Sequence, residues 1–252
     1  MRMIPSPSRV RIVGVSIDTL TERDVIERIK SFVKSGECRQ IITANPLMIL
    51  AAEKDSALRA AFDAADLVIP DSAGVQWAAR IKGQKISKIA GIDLMDTLCA
   101  QAAEQSWRVY FLGAAPGVAE AASRKLMGRH QNLKVAGVHH GYFSASEERI
   151  INTIAASAPD LLFVGLSTPV QDGWIHKNLA RFGAKVVMGV GGSFDVLSGR
   201  LRRAPAWMRT YGLEWFFRLL QEPGRATRML QLPVFAMSVM KFTREKQPKC
   251  KR

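Results

Sequence analysis

The polar residues best suited to chemistry in this chain stand where apolar runs end. Asp71 follows Leu67-Val-Ile-Pro70, which puts a carboxylate at a strand end. Such a carboxylate can act as a general base if it lies within hydrogen-bond reach of the proton it removes. On this position alone the commoner reading is a cap for a helix starting near Ala73, a frequent role for Asp. Thr43 and Asn45 close a second apolar run, Gln40-Ile-Ile-Thr-Ala44. They are either substrate hydrogen-bonders or the start of an Asn-Pro helix. Gly113-Ala-Ala-Pro-Gly117 lies between a strong strand and a helix. Small residues there let backbone amides and a helix N-terminus approach a phosphate, or simply make a tight turn. Gln171-Asp172 and the run Gly189-Val-Gly191-Gly192-Ser-Phe-Asp195 offer the same two readings.

Several chemistries are excluded by what is missing. Gly189-x-Gly191-x-x-Phe194 lacks the third glycine of a dinucleotide fingerprint, and there is no G-x-x-x-x-G-K-[ST] loop. No G-x-S-x-G nucleophile elbow occurs. His139 and His140 are adjacent, so on a strand they are expected on opposite faces, unable to chelate one ion. No Asp-x-Asp is present to hold a divalent metal at a diphosphate, and neither a metal site nor a cofactor is expected.

The elements that must position these residues follow from periodicity. Arg11–Val15, Gln40–Ala44, Leu67–Ile69, Arg108–Gly113, Lys134–Val138, Leu161–Gly165 and Lys185–Val190 read as strands. Thr21-Glu-Arg-Asp24 has the form of a capping box opening a helix through Val33, with Gly36 as its stop. Apolar strands separated by helix-length amphipathic segments predict βαβ units, hence an α/β fold with a mainly parallel sheet covered on both faces. Such sheets bind ligands at the carboxyl ends of their strands, where all of these turns fall.

The chain has 252 residues and a formal charge of +14, unevenly placed. Residues 200–252 carry 13 Lys/Arg against 3 Asp/Glu, a net +10, whereas residues 1–199 carry 23 against 19, a net +4. The reading is an α/β body over 1–199 and a basic, aromatic-rich appendage over 200–252. A uniformly positive coat, expected of a generic nucleic-acid-coating protein, is excluded. In the appendage Arg202, Arg203, Arg209, Arg218, Arg225 and Arg228 alternate with Trp207, Tyr211, Trp215, Phe216 and Phe217. Met208, Tyr211, Trp215 and Leu219 recur at helical spacing, so a basic amphipathic helix is expected. A core-packed helix and a nucleic-acid patch are the alternatives. The apolar run Leu232–Met240, flanked by Lys241, Arg244, Lys246, Lys249, Lys251 and Arg252, favours a membrane surface. No stretch reaches the ~20 apolar residues of a span, and no secretory signal is evident. Cys38, Cys99 and Cys250 are odd in number and far apart, which points to a reducing compartment. A cytoplasmic, peripheral protein is expected.

Taken in order, Thr43-Ala-Asn45-Pro, Ala65-Asp-Leu-Val-Ile-Pro-Asp71-Ser-Ala-Gly74-Val, Gly165-Leu-Ser-Thr-Pro-Val-Gln171-Asp-Gly-Trp174, Gly189-Val-Gly-Gly-Ser-Phe-Asp195, Arg203-Ala-Pro205-x-Trp207 and Gly212-Leu-Glu-Trp215-x-x-Arg218-Leu-Leu-x-Glu222-Pro-x-Arg225 form one pattern. From about Val10 to about Arg228 the chain resembles the WecG/TagA/CpsF family of bacterial glycosyltransferases. The resemblance implies a Rossmann-like fold and inverting transfer of a sugar from a UDP-sugar donor to a polyprenyl-diphosphate-linked sugar acceptor, for cell-surface polysaccharide. It implies a C-terminal appendage working at the anionic inner-membrane surface. Family donors carry N-acetylmannosamine, its uronic acid or glucose. By the same resemblance Asp71 is the base, while Thr43, Asn45 and Gln171 line the pocket. Arg218, Arg225 and Arg228 close over it and neutralise the leaving diphosphate; on the phosphate reading of the turns, Gly113, Gly117, Gly189, Gly191 and Gly192 make the nucleotide loops.

Two positions depart from the family pattern: Ser72 replaces a glycine after Pro-Asp, and Asp172 replaces a glutamate after Gln. Further copies of this chain are an expected partner in assembly; nucleic acid is not. A basic nucleic-acid-binding protein would leave Asp71 and the glycine turns without a role, and a nucleotide-sugar-modifying enzyme such as an epimerase would need no lipid-facing tail.

Overall fold

The computed structural model describes residues 8–143 and 146–245. A hairpin of β1 (Arg9–Ile12) and β2 (Val15–Asp18) opens the chain. Arg11–Val15 therefore does not form the single strand that its apolar run predicts. Val13 and Gly14 both take positive φ, at 44° and 81°, and reverse the chain in two residues.

Six parallel strands follow: β3 (Arg39–Ala44), β4 (Leu67–Pro70), β5 (Arg108–Gly113), β6 (Lys134–His139), β7 (Leu161–Gly165) and β8 (Val186–Gly189), in the order β4-β3-β8-β7-β5-β6. The helices of the body are α1 (Glu22–Ser35), α2 (Pro46–Ala51), α3 (Ser56–Ala64), α4 (Ala73–Ile81), α5 (Gly91–Gln105), α6 (Val118–Arg129), α7 (Glu147–Ser157), α8 (Val170–Asn178) and α9 (Ser193–Ser198). Side-chain alternation along the strands sorts them to two faces. Phe111, Phe163 and Met188 join α1, α5, α6 and α9 in one core cluster. Leu112, Val164 and Val187 face the other way, towards α7 and α8. This is the expected Rossmann-like α/β sandwich.

Sequence signals at the helix ends act as predicted. Thr21 and Asp24 form a reciprocal capping box on α1, and Gly36 ends it at φ 78°.

The C-terminal segment forms α10 (Ala206–Thr210), α11 (Glu214–Gln221), α12 (Ala226–Met229) and α13 (Gln231–Glu245). Met208, Tyr211, Trp215 and Leu219 thus do not share one continuous helix. Gly212, at φ 73°, breaks the run between α10 and α11. Phe235 and Val239 of α13 are buried in a cluster with Met48 and Ile49 of α2 and Val75 and Ala78 of α4. Burial of two such side chains stabilises the contact by roughly 1.5–3 kcal/mol each, so the appendage is seated on the body.

Candidate active site

β3, β4, β7 and β8 run parallel in near register, so Asn45, Asp71, Leu166 and Val190 leave the sheet along one edge. Asp71 sits one residue past β4, its backbone N–H bonded to the Ala44 carbonyl at 3.0 Å. It does not cap α4. Ser72 does, its Oγ accepting from the Val75 N–H at 3.3 Å. Ser72 has φ −141°, an extended conformation open to any residue, so the departure from glycine leaves this loop unstrained and adds a cap. The Asp71 Oδ1 is turned to the start of α5, where it accepts from the Gly91 N–H at 2.6 Å.

The charge of Asp71 is finely balanced. Burial pushes its pKa up to about 7, opposed by the Gly91 N–H, Lys88 and Arg218, while Glu214 adds to the rise. A carboxyl that gains and loses its proton near neutrality has the protonation behaviour of a general base. Lys88 and Glu214, ion-paired to each other beside it, were not singled out by sequence. They lie 126 positions apart; Lys88 belongs to no motif, and Glu214 stands in the Gly212–Arg225 pattern without a role assigned to it.

Thr43 and Gln171 are turned inward. The Thr43 hydroxyl donates to the Gly189 carbonyl at 3.0 Å, tying β3 to β8. Gln171 accepts at Oε1 from the Leu166 N–H, at 3.1 Å, and the Gly191 N–H, at 2.9 Å, and so joins two strand-end loops. Its Nε2 donates to Asp172 Oδ2 at 3.2 Å. Asp172 is fully buried, and its Oδ1 has no hydrogen-bond partner among the described residues. Burial pushes its pKa up to about 7, against the Gln171 hydrogen bond. Asn45 caps α2, its Oδ1 accepting from Leu47 and Met48. This is the Asn-Pro helix start; the placement leaves a substrate contact open only to its Nδ2, which has no partner among the described residues.

The five glycines divide into two groups. An added Cβ at Gly113 (φ 138°) would lie 2.3 Å from the Gly165 carbonyl oxygen, and one at Gly189 would lie 2.2 Å from Gln171 Nε2. Gly117 (φ 83°) and Gly191 (φ 49°) face open space, and Gly192 backs onto Arg218. Gly113→Ala and Gly189→Ala are therefore expected to destabilise the fold by about 2–4 kcal/mol through overpacking. Gly117→Ala should cost only about 1 kcal/mol, from its left-handed backbone. Chemical denaturation of the three variants checks the ranking.

The tail reaches the same edge. Gly212 lies against α4, a Cβ there meeting that of Ala73 at 2.7 Å. Arg203 donates to Asp93 of α5 at 2.6 Å. Arg218, on α11, donates through Nη2 to the Gly192 carbonyl at 3.0 Å and lies close enough to lower the Asp71 pKa. Arg228 is exposed on α12. Arg225 ends the turn Pro223–Arg225; its side chain lies outside the described residues, as do Lys246, Lys249, Cys250, Lys251 and Arg252.

His139 and His140 do not point apart as a strand would have them. β6 ends at His139, and the two rings lie 4.3 Å apart. Among the described residues no group of three or more His, Cys, Asp or Glu could hold a metal ion. No helix among them is long and apolar enough to cross a membrane.

A family model described as the glycosyl transferase WecG/TagA/CpsF family matches residues 10–249. The chain is 34% identical over 241 residues to an N-acetylglucosaminyldiphosphoundecaprenol N-acetyl-beta-D-mannosaminyltransferase of Staphylococcus aureus, covering 94% of each chain. It is 38% identical over 205 residues to a protein of the same name from Bacillus spizizenii, covering 81% of this chain and 79% of that relative.

Proposed function

The chain belongs to the WecG/TagA/CpsF glycosyltransferase family, and from that premise we propose that it transfers a sugar from a UDP-sugar to a sugar carried on a polyprenyl diphosphate. Its relatives are named for adding an N-acetyl-β-D-mannosaminyl group to N-acetylglucosaminyldiphosphoundecaprenol, so UDP-N-acetylmannosamine is the first donor to test. The observation that carries the mechanism is Asp71, a carboxyl titrating at about 7 on the ligand-binding edge of the sheet, with Arg218 held nearby.

In this mechanism the acceptor hydroxyl gives its proton to Asp71 as its oxygen bonds to the anomeric carbon. The bond from that carbon to the UDP oxygen breaks on the opposite face, inverting the centre. Negative charge then builds on the departing diphosphate. Arg218 meets it with a forked donor matched to phosphate oxygens, joined by Arg225 and Arg228 from the following turn and helix. Gly117 and Gly191 present open backbone for the nucleotide. Thr43 and Gln171 hold the loops in place from beneath.

The test is UDP release across a panel of UDP-sugars, with and without an N-acetylglucosaminyl-diphosphate-isoprenoid acceptor. Release that requires both substrates and survives a chelator is expected. No acceptor-dependent release from any donor would overturn the reading, and a strict metal requirement would overturn the arginine-based mechanism.

The proposed work at a membrane surface has its own observation. Leu230, Val234, Met237 and Met240 recur every three or four residues and are 72%, 45%, 58% and 45% exposed, while Phe235 and Val239 face the body. An apolar outer stripe beside Arg228 and Lys241 suits an anionic bilayer. Replacing Val234, Met237 and Met240 by Ser should lower binding to phosphatidylglycerol vesicles at least tenfold and leave the unfolding midpoint in place. Vesicle flotation and thermal unfolding check this.

A further inference from the structure

Next to the start of α5, which anchors Asp71, the structure holds a cleft of about 330 Å³, walled by Glu22 and the approach to α5 on one side and by α10 and α11 on the other. Resting on the transferase reading above, we propose that this cleft is the acceptor-sugar subsite and takes one neutral, polyhydroxylated ring, leaving the diphosphates outside.

Contiguity with the base is the first support. Ala90 lines the cleft, and the next residue, Gly91, donates to Asp71 Oδ1 at 2.6 Å. Lys88 and Glu214 also line it, and both act electrostatically on the same carboxyl. A base takes its proton only from a group within hydrogen-bond reach. The acceptor sugar must therefore be held beside Asp71, and this cleft opens one residue from the Gly91 N–H that holds the carboxyl.

Charge is the second support. The lining carries three cations, Lys88, Arg203 and Arg209, against three carboxylates, Glu22, Asp93 and Glu214. Two pairs are already made, Lys88 with Glu214 and Arg203 with Asp93. A diphosphate here would face three carboxylates and gain no net attraction. A neutral sugar can instead give its hydroxyl protons to carboxylate oxygens with spare lone pairs and accept from ammonium and guanidinium groups. The volume lies at the small end of ligand pockets and suits a single ring.

The cleft also joins body to tail. Glu22, Lys88, Ala90 and Asp93 come from the body, whereas Arg203, Ala206, Arg209 and Glu214 come from the basic segment. The subsite is complete only with the tail seated.

Ala206→Trp fills the cleft from α10 and removes no charged group, and Asp93→Asn takes away one carboxylate while nearly keeping its shape. Steady-state transfer by the full chain is measured, with UDP-sugar and N-acetylglucosaminyl-diphosphate-isoprenoid varied in turn and thermal unfolding recorded. Ala206→Trp should raise the acceptor KM at least tenfold and Asp93→Asn about fivefold, with the donor KM within twofold of wild type. An unchanged acceptor KM in a folded variant overturns the proposal, as does a donor KM that rises equally; Asp93→Asn decides should Ala206→Trp not fold. Wild-type protein that transfers nothing would instead overturn the transferase reading itself.

Discussion

Asp71→Asn is expected to lower turnover by about 10²–10⁴ while UDP still binds, and to raise stability above pH 7. The rate loss is that expected when a positioned base is removed. The Asn side chain nearly keeps the shape, and its Oδ1 can still accept from Gly91, so the start of α5 stays anchored. The stability gain follows from the sign of the shift. The Asp71 carboxyl titrates at about 7 in the fold against an ordinary value of 3.8, because burial penalises its charged form. Its favourable contribution is complete below pH 4 and is lost as the pH rises through 7. A neutral Asn avoids that loss. Three pH units bound the difference at roughly 4 kcal/mol, and about 1–2 kcal/mol is expected at pH 8 after partial solvent screening. Urea unfolding at pH 5 and pH 8 should show the gap opening with pH. A wild-type rate in Asp71→Asn would leave the residue only the task of anchoring α5.

Arg218→Ala is expected to reduce turnover by about 10²–10³, the range for losing one donor that stabilises transition-state charge. It has a second signature. Arg218 is one of the groups holding the Asp71 pKa down, so its removal moves the inflection of the pH–rate profile upward. Arg218→Lys retains the charge but loses the planar fork and the geometry of the bond to the Gly192 carbonyl. It should restore the inflection and only part of the rate. A guanidinium that served merely to pin the Gly189–Gly192 loop would change stability and leave the inflection alone.

The parallel strands were legible in the sequence because a strand buried on both faces must be apolar throughout, as Leu161–Gly165 and Leu67–Pro70 are. The same rule concealed the first hairpin. Val13 is buried in its turn, so nothing polar marks the reversal. In the tail, Met208 is 6% exposed and Tyr211 76%, which is what the break at Gly212 produces and what spacing alone hides. At Asp71 the helix-cap alternative falls to the neighbour, since Ser72 caps α4. Lys88 and Asp93 had no local signal, and Glu214 stood in a motif with nothing to mark its role. Their pairing partners come from distant parts of the chain, and only the seating of α10 and α11 against α5 brings them together.

The charge of the appendage also takes on definite form in three dimensions. Arg203 and Arg218 turn back onto the body, towards Asp93 and Gly192. Removing everything after Leu201 would therefore take one wall of the cleft as well as the Phe235 and Val239 seats on α2 and α4. Loss of activity in such a truncation carries less information than the point variants do.

The central claim, that Asp71 is the base of the transfer, is tested most directly by kcat/KM for the lipid-linked acceptor as a function of pH in wild type and Asp71→Asn. A wild-type profile that climbs with unit slope and levels off near pH 7 is expected, with a variant at least 100-fold slower in which that inflection is gone. The same inflection persisting in Asp71→Asn would contradict the claim.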